Sequence, residues 1–138
     1  ALKIFQDEAT QGYQMLAGFR AAALMANGGD IVGATAAYDK LANDSSLDII
    51  YRDLAILLRT IQQLNINQDI TSLTNSLAPL SDDKNPWRYT ARELIAIIAK
   101  ESGNTTKARK LFTALIDDET TPKGIRLRAR ELLTGIAE

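Results

Sequence analysis

The sequence predicts an all-α protein: three antiparallel helix hairpins followed by a C-terminal capping helix, about seven helices in all. Three observations predict it. A pattern of large apolar and small residues recurs every 36 to 38 positions along the 138-residue chain. Within each unit the apolar residues fall at i, i+4 and i+7, the spacing that puts them on one helix face. Pairs that end one helix and start the next, such as Gly29-Asp30 and Gly103-Asn104, stand between those stretches.

The repeat is led by Tyr13, Tyr51, Trp87 and Ile125, each followed four positions later by alanine: Ala17, Ala55, Ala91 and Ala129. The units span about 13–50, 51–86 and 87–121, with a cap over 122–138, in a single domain 1–138. Small residues at recurring positions let helices approach closely, and the lead residues, Trp87 among them, are expected in the core.

Each helix has its own warrant. The first, near 3–28, carries Tyr13, Ala17 and Ala22 and is ended by Gly29; Leu2, Phe5 and Ala9 extend its face backwards. The second, near 31–43, is capped by Asp30 and presents Ala34, Tyr38 and Leu41. The third, near 47–66, runs from Tyr51 through Ala55 and Leu58. The fourth, near 69–80, presents Leu73, Leu77 and Leu80, with one residue inserted around the Asn67-Gln68 turn and Pro79 near its end. The fifth, near 86–102, and the seventh, near 122–137, open at Asn85-Pro86 and Thr121-Pro122, which place proline at the first helical position. The sixth, near 105–117, repeats the second: Ala108, Phe112 and Leu115 match Ala34, Tyr38 and Leu41 at a constant offset of 74.

Composition narrows the function. There are 16 basic and 17 acidic residues, net charge −1, with 46% hydrophobic and 24% charged residues. Such a balance excludes a general nucleic-acid binder and blanket membrane adhesion. With no Cys and no His, thiol nucleophiles, imidazole bases and Cys/His zinc sites are absent. No apolar run reaches the roughly 18 residues of a membrane span. The chain begins at Ala1 without Met, as a processed or excised soluble portion would, and any membrane anchor would then lie upstream of this sequence.

The candidate sites are few. Asp82-Asp83 and Asp117-Asp118-Glu119 pair carboxylates, but Asp44, Asp83 and Asp118 each follow a recurring leucine by three residues, so they read as inter-repeat turns. Arg52, Arg88 and Arg126 follow three of the lead residues, either as a cation ladder for an acidic partner or as local partners of those carboxylates. Lys123, Arg126, Arg128 and Arg130 make the last helix basic without the density of a nucleic-acid stripe. Tyr89 has no aromatic counterpart in the other units and is a candidate partner contact. No catalytic residue, metal ligand or cofactor is expected.

The units Gly29-Asp30, Ala34, Tyr38, Leu41 and Gly103-Asn104, Ala108, Phe112, Leu115 resemble the second-helix signature of tetratricopeptide repeats, with a period slightly above the usual 34. More narrowly, Phe19-Arg20-Ala21-Ala22-Ala23, Ala36-Ala37-Tyr38-Asp39-Lys40-Leu41-Ala42, Tyr51-Arg52-Asp53-Leu54-Ala55 and Asn85-Pro86-Trp87-Arg88-Tyr89 are similar to bacterial membrane-anchored tetratricopeptide-like proteins of the Sec translocon's ancillary-subunit type. The resemblance implies a right-handed superhelix on the periplasmic face of the inner membrane, binding translocon subunits and periplasmic chaperones without catalysis. A soluble tetratricopeptide-type secretion chaperone or a cytoplasmic adaptor is the alternative. Faces opposite the small packing residues give the expected protein-binding groove: Leu57, Ile61, Tyr89, Glu93, Ile97 and Lys100. Apolar terminal faces permit a homodimer without requiring one.

Overall fold

A computed structural model describes residues 2–66 and 69–136, the Phe5 side chain excepted. The described residues are helical without strands: α1 Leu2–Asn27, α2 Ile31–Ala42, α3 Ile49–Leu64, α4 Ile70–Leu77, α5 Arg88–Glu101, α6 Thr105–Asp117 and α7 Lys123–Thr134. A 3-10 turn, Ala78–Ser81, extends α4. Pro79 accounts for it, because proline cannot donate the backbone bond that would continue an α-helix. The chain divides into two compact units, Ala1–Ile66 and Asn67–Glu138. The division falls inside the expected second repeat, and Asn67 and Gln68, expected to turn that hairpin, lie outside the described residues.

In the first unit, α2 packs against both α1 and α3. Ala22, Ala34 and Ala55 are fully buried at these crossings, with Tyr38 and Leu41 filling the space beside them. Alanine brings the helix axes close and the larger neighbours restore density. Phe19 tilts against the Tyr38 ring at 6.3 Å between centroids.

In the second unit, α6 packs against α5 and α7, while α4 and its 3-10 extension also pack on α5. Ala96, Ala108 and Ala129 surround Phe112, which has no exposed surface, and Leu115, Ile125 and Ile136 close the cluster.

The two turns at Gly29 and Gly103 are built alike. Each glycine is left-handed, at φ 87° and 83°. Asp30 N–H donates to the Met25 carbonyl and Gly29 N–H to Ala26; Asn104 and Gly103 repeat this onto Ala99 and Lys100. That double bond pattern closes a helix C-terminus and needs a left-handed residue, which glycine adopts without strain. The next residue then caps the following helix. Asp30 Oδ1 accepts from Gly33 N–H at 2.8 Å, and Asn104 Oδ1 from Lys107 N–H at 3.2 Å.

The structure corrects several local expectations. Pro122 is the residue before α7 rather than its first turn, with ψ 143°, and the Thr121 hydroxyl caps nothing. Helix α5 starts at Arg88, after an Asn85 side chain accepts from Trp87 N–H at 2.8 Å. The lead residues do not share one buried environment. Tyr13 is 76% exposed, Tyr51 38% and Ile125 9%, while Trp87 is half-buried. The face led by Ile125 is packed on α6 and that of α3 on α2, whereas no described helix precedes α1. Ala17 is correspondingly exposed, although Ala55, Ala91 and Ala129 have no exposed surface.

Candidate protein-binding cleft

The inter-repeat turns put their carboxylates to structural use. Asp44 Oδ1 accepts from Ser46 N–H and Oγ at 3.0 and 2.6 Å, and Asp118 Oδ1 from Thr120 N–H and Oγ1 at 2.9 and 2.6 Å. These bonds, helped by Lys40 and Arg52 at Asp44 and by Arg92 and Arg88 at Asp118, hold both carboxyls below their ordinary range. In the turn between them the bonding residue is Asp82, not the expected Asp83: Asp82 accepts from Lys84 N–H at 2.9 Å, and Asp83 pairs with Arg92 at 2.6 Å.

The arginines after the lead residues make their hydrogen bonds to turn carbonyls, while Arg52 and Arg88 also act through their charge on Asp44 and Asp118. Arg52 Nε donates to the Leu47 carbonyl and Arg88 Nη1 to Asn85, each at 3.1 Å. Arg126 Nη2 donates to the carbonyls of Glu119 and Thr121 at 2.7 and 3.1 Å. A guanidinium carries several donors in a fixed fork, so it ties down the carbonyls of a turn that has no ladder of its own.

The expected groove residues divide. Leu57 and Glu93 are corrected: they are 1% and 7% exposed and offer no surface. Arg128 grips Glu93 through Nε and Nη2 at 2.9 and 3.1 Å, and the hydrogen bonds with the attendant charge push the guanidinium further up. Ile97 is half-buried against the second unit's core. Tyr89 packs on that core too; its hydroxyl bonds Thr120, and Arg88 lies 4.4 Å from its ring centre. Lys100 is half-buried, 3.6 Å from Glu101, and Ile61 is 37% exposed on α3.

The open site lies elsewhere, in the first unit. A cleft of about 450 Å³ runs between α1, α2 and the turn that follows α2. Met15, Gly18, Ala37 and Leu41 line its floor, and Gln14, Lys40 and Asp44 its rim. The second unit shows why it is open. At the offset of 74, Met15 corresponds to Tyr89, Gly18 to Arg92, Ala21 to Ile95 and Ala37 to Leu111. Each residue of the first unit is the smaller. In the second unit Tyr89 bonds Thr120 and Arg92 reaches to 4.0 Å from Asp118. Their counterparts Ser46 and Asp44 face Met15 and Gly18 across the cleft instead. The repeat therefore keeps the acceptor and removes the side chains that would fill the space before it. The signal lies in the position-by-position difference between the units, whereas the expected groove follows faces of α3 and α5.

A smaller cleft, about 320 Å³, lies in the second unit among Ile70, Thr74, Ile95, Ser102 and Lys107. Among the described residues no group of His, Cys, Asp and Glu could hold a metal ion, and no helix is long and apolar enough to cross a membrane. No protein-family model matches the chain, and no curated protein or solved structure is significantly similar to it.

Proposed function

We propose that the protein is a non-catalytic scaffold for protein–protein interaction and that the cleft of the first unit receives a segment of its partner. One observation carries this reading: the cleft is the space that the second unit fills with its own Tyr89 and Arg92. The chain thus supplies a template for the ligand. A polypeptide segment bearing an aromatic or aliphatic side chain beside an arginine would lay the first on Met15 and Ala37 and set the second at Asp44. Asp44 is ionised at neutral pH, its carboxyl held low by Ser46. Gln11 and Gln14 on the rim offer both donors and acceptors to a peptide backbone.

The partners proposed are translocon subunits and periplasmic chaperones, with the chain on the periplasmic side of a bacterial inner membrane. The resemblance of the Gly29-Asp30, Tyr51-Arg52-Asp53 and Asn85-Pro86-Trp87 stretches to membrane-anchored tetratricopeptide-like proteins supports that part. The test is a photo-crosslinker at Gln14, in native membranes, with and without the cleft-filling pair Met15→Tyr and Ala21→Ile. Recovery of a translocon subunit or periplasmic chaperone that the filled cleft abolishes supports the reading. Recovery unchanged by the filled cleft contradicts the site, and recovery of soluble secretory clients alone favours the secretion chaperone.

A further inference from the structure

The side chains that fill the second unit's cleft have successors further along the chain. Leu127 and Arg130 on α7 stand 38 residues after Tyr89 and Arg92, the step that also separates Trp87 from Ile125. On α5 both side chains are engaged. Tyr89 bonds Thr120, and Arg92 pairs with Asp83 at 2.6 Å and reaches to 4.0 Å from Asp118 Oδ2. On α7 their successors stand open: Leu127 is 56% exposed, and Arg130 is exposed and forms no ion pair with any described residue. The repeat shows why. Thr121 takes the place of Asp83 in the turn before α7, and among the described residues no second helix and turn follow α7.

The first unit has the converse arrangement, an acceptor without its donor. Asp44 Oδ1 takes both bonds from Ser46, as Asp118 Oδ1 takes both from Thr120. Asp118 then turns Oδ2 to Arg92, whereas Asp44 Oδ2 forms no ion pair with any described residue. Lys40 stands on the same rim and would repel a lone guanidinium. Helix α7 carries an acid beside its base: Glu131, one turn after Leu127, adjoins Arg130 and also acts on Arg128 through its charge. The rim and α7 thus each present one acid and one base.

We propose that the cleft of the first unit takes α7 of a second copy of this chain. Leu127 lies on Met15 and Ala37, Arg130 pairs with Asp44, and Glu131 answers Lys40. The inference rests on reading the cleft as a docking site and names an occupant for it. A helix suits the template, because Tyr89 and Arg92 themselves stand three positions apart on one helix. The contact joins unlike surfaces, so it runs head to tail, and every added copy brings a further cleft and a further α7. One leucine and exposed ion pairs bind weakly, so a better-fitting foreign segment displaces the second copy.

Two variants separate the ends. Leu127→Asp with Arg130→Glu removes the donor at exposed positions, and Met15→Tyr with Ala21→Ile fills the cleft; circular dichroism verifies that each keeps its helicity. In sedimentation equilibrium up to about 1 mM, the native chain should rise in mass past twice its 15.1 kDa. Each variant alone should stay at the single-chain mass. An equimolar mixture of the two should reach twice that mass and stop, because only one cleft and one α7 remain between them. A native chain that stays monomeric, or a variant that still assembles alone, overturns the proposal. If the native chain is monomeric while a crosslinker at Gln14 captures a foreign protein that the filled cleft abolishes, this inference fails and the docking function stands. If Gln14 captures only a second copy, the inference stands and the foreign partners fall.

Discussion

Arg128 on α7 holds Glu93 on α5 with two parallel hydrogen bonds, and the two ends of that pair live in different solvents. The Glu93 side chain is 9% exposed and the Arg128 side chain 56%. The pair clasps the capping helix to the last hairpin across 35 residues of sequence. Its energetics follow from the asymmetry rather than from the contact alone.

Removing the arginine strands a buried carboxylate, whereas removing the carboxylate leaves an arginine that water reaches. Arg128→Ala should therefore destabilise by about 2 kcal/mol. Glu93→Leu fills the same volume without a charge and should stay within about 1 kcal/mol of the native chain. Urea denaturation of the two variants checks the order. Equal losses would mean that the clasp acts through packing alone.

The acid limb of stability should carry the mark of the inter-repeat turns. The Asp44 and Asp118 carboxyls are lowered in the folded chain, first by Ser46 and Thr120 and then by neighbouring cations. A lowered folded value stabilises above the unfolded carboxylate value, about 3.9, and that contribution is lost as pH falls through the folded one. Asp44→Asn with Asp118→Asn keeps an acceptor oxygen and removes the titration. Thermal melts from pH 6 to pH 2 should show the double variant less stable at pH 6 and converging with the native chain in strong acid. A constant gap down to pH 2 would exclude the linkage.

The two glycine turns should respond to substitution as equals. A Cβ at Gly29 or Gly103 meets no atom within 4 Å, so only the left-handed backbone resists it. Gly29→Ala and Gly103→Ala should each cost about 1 kcal/mol. Asp30→Ala and Asn104→Ala lose one N-cap bond each and should cost about 1 kcal/mol more. Thermal unfolding of the single and paired variants measures both. A neutral glycine substitution would contradict the shared turn geometry.

Helix α6 was legible in the sequence to the residue, 105–117, because Gly103 and Asn104 mark its start by two independent bonds and Asp117 precedes a recurring turn. Helix ends set by proline were not. Pro79 shifts α4 into a 3-10 turn, and Pro122 sits one place outside α7, since a fixed φ is compatible with either side of a helix start. The groove on α5 was misplaced for a different reason. Which face of α5 stays open depends on α7, and the Glu93–Arg128 pairing leaves no trace in local periodicity. The cleft was written in the comparison of Met15 with Tyr89 and of Gly18 with Arg92, yet only coordinates show that both larger side chains reach across to the turn.

The alanine that follows each lead residue by four positions tests the repeat most directly. Ala55, Ala91 and Ala129 are sealed in units where a preceding helix packs on their own, and Ala17 stands open. Urea denaturation of Ala17→Leu, Ala55→Leu, Ala91→Leu and Ala129→Leu compares one sequence position in four places. The three sealed sites should each lose about 1–3 kcal/mol through overpacking, and Ala17→Leu should stay within about 0.5 kcal/mol of the native chain. Four equal losses, or a tolerated leucine at Ala91 and Ala129, would contradict the packing on which the account rests.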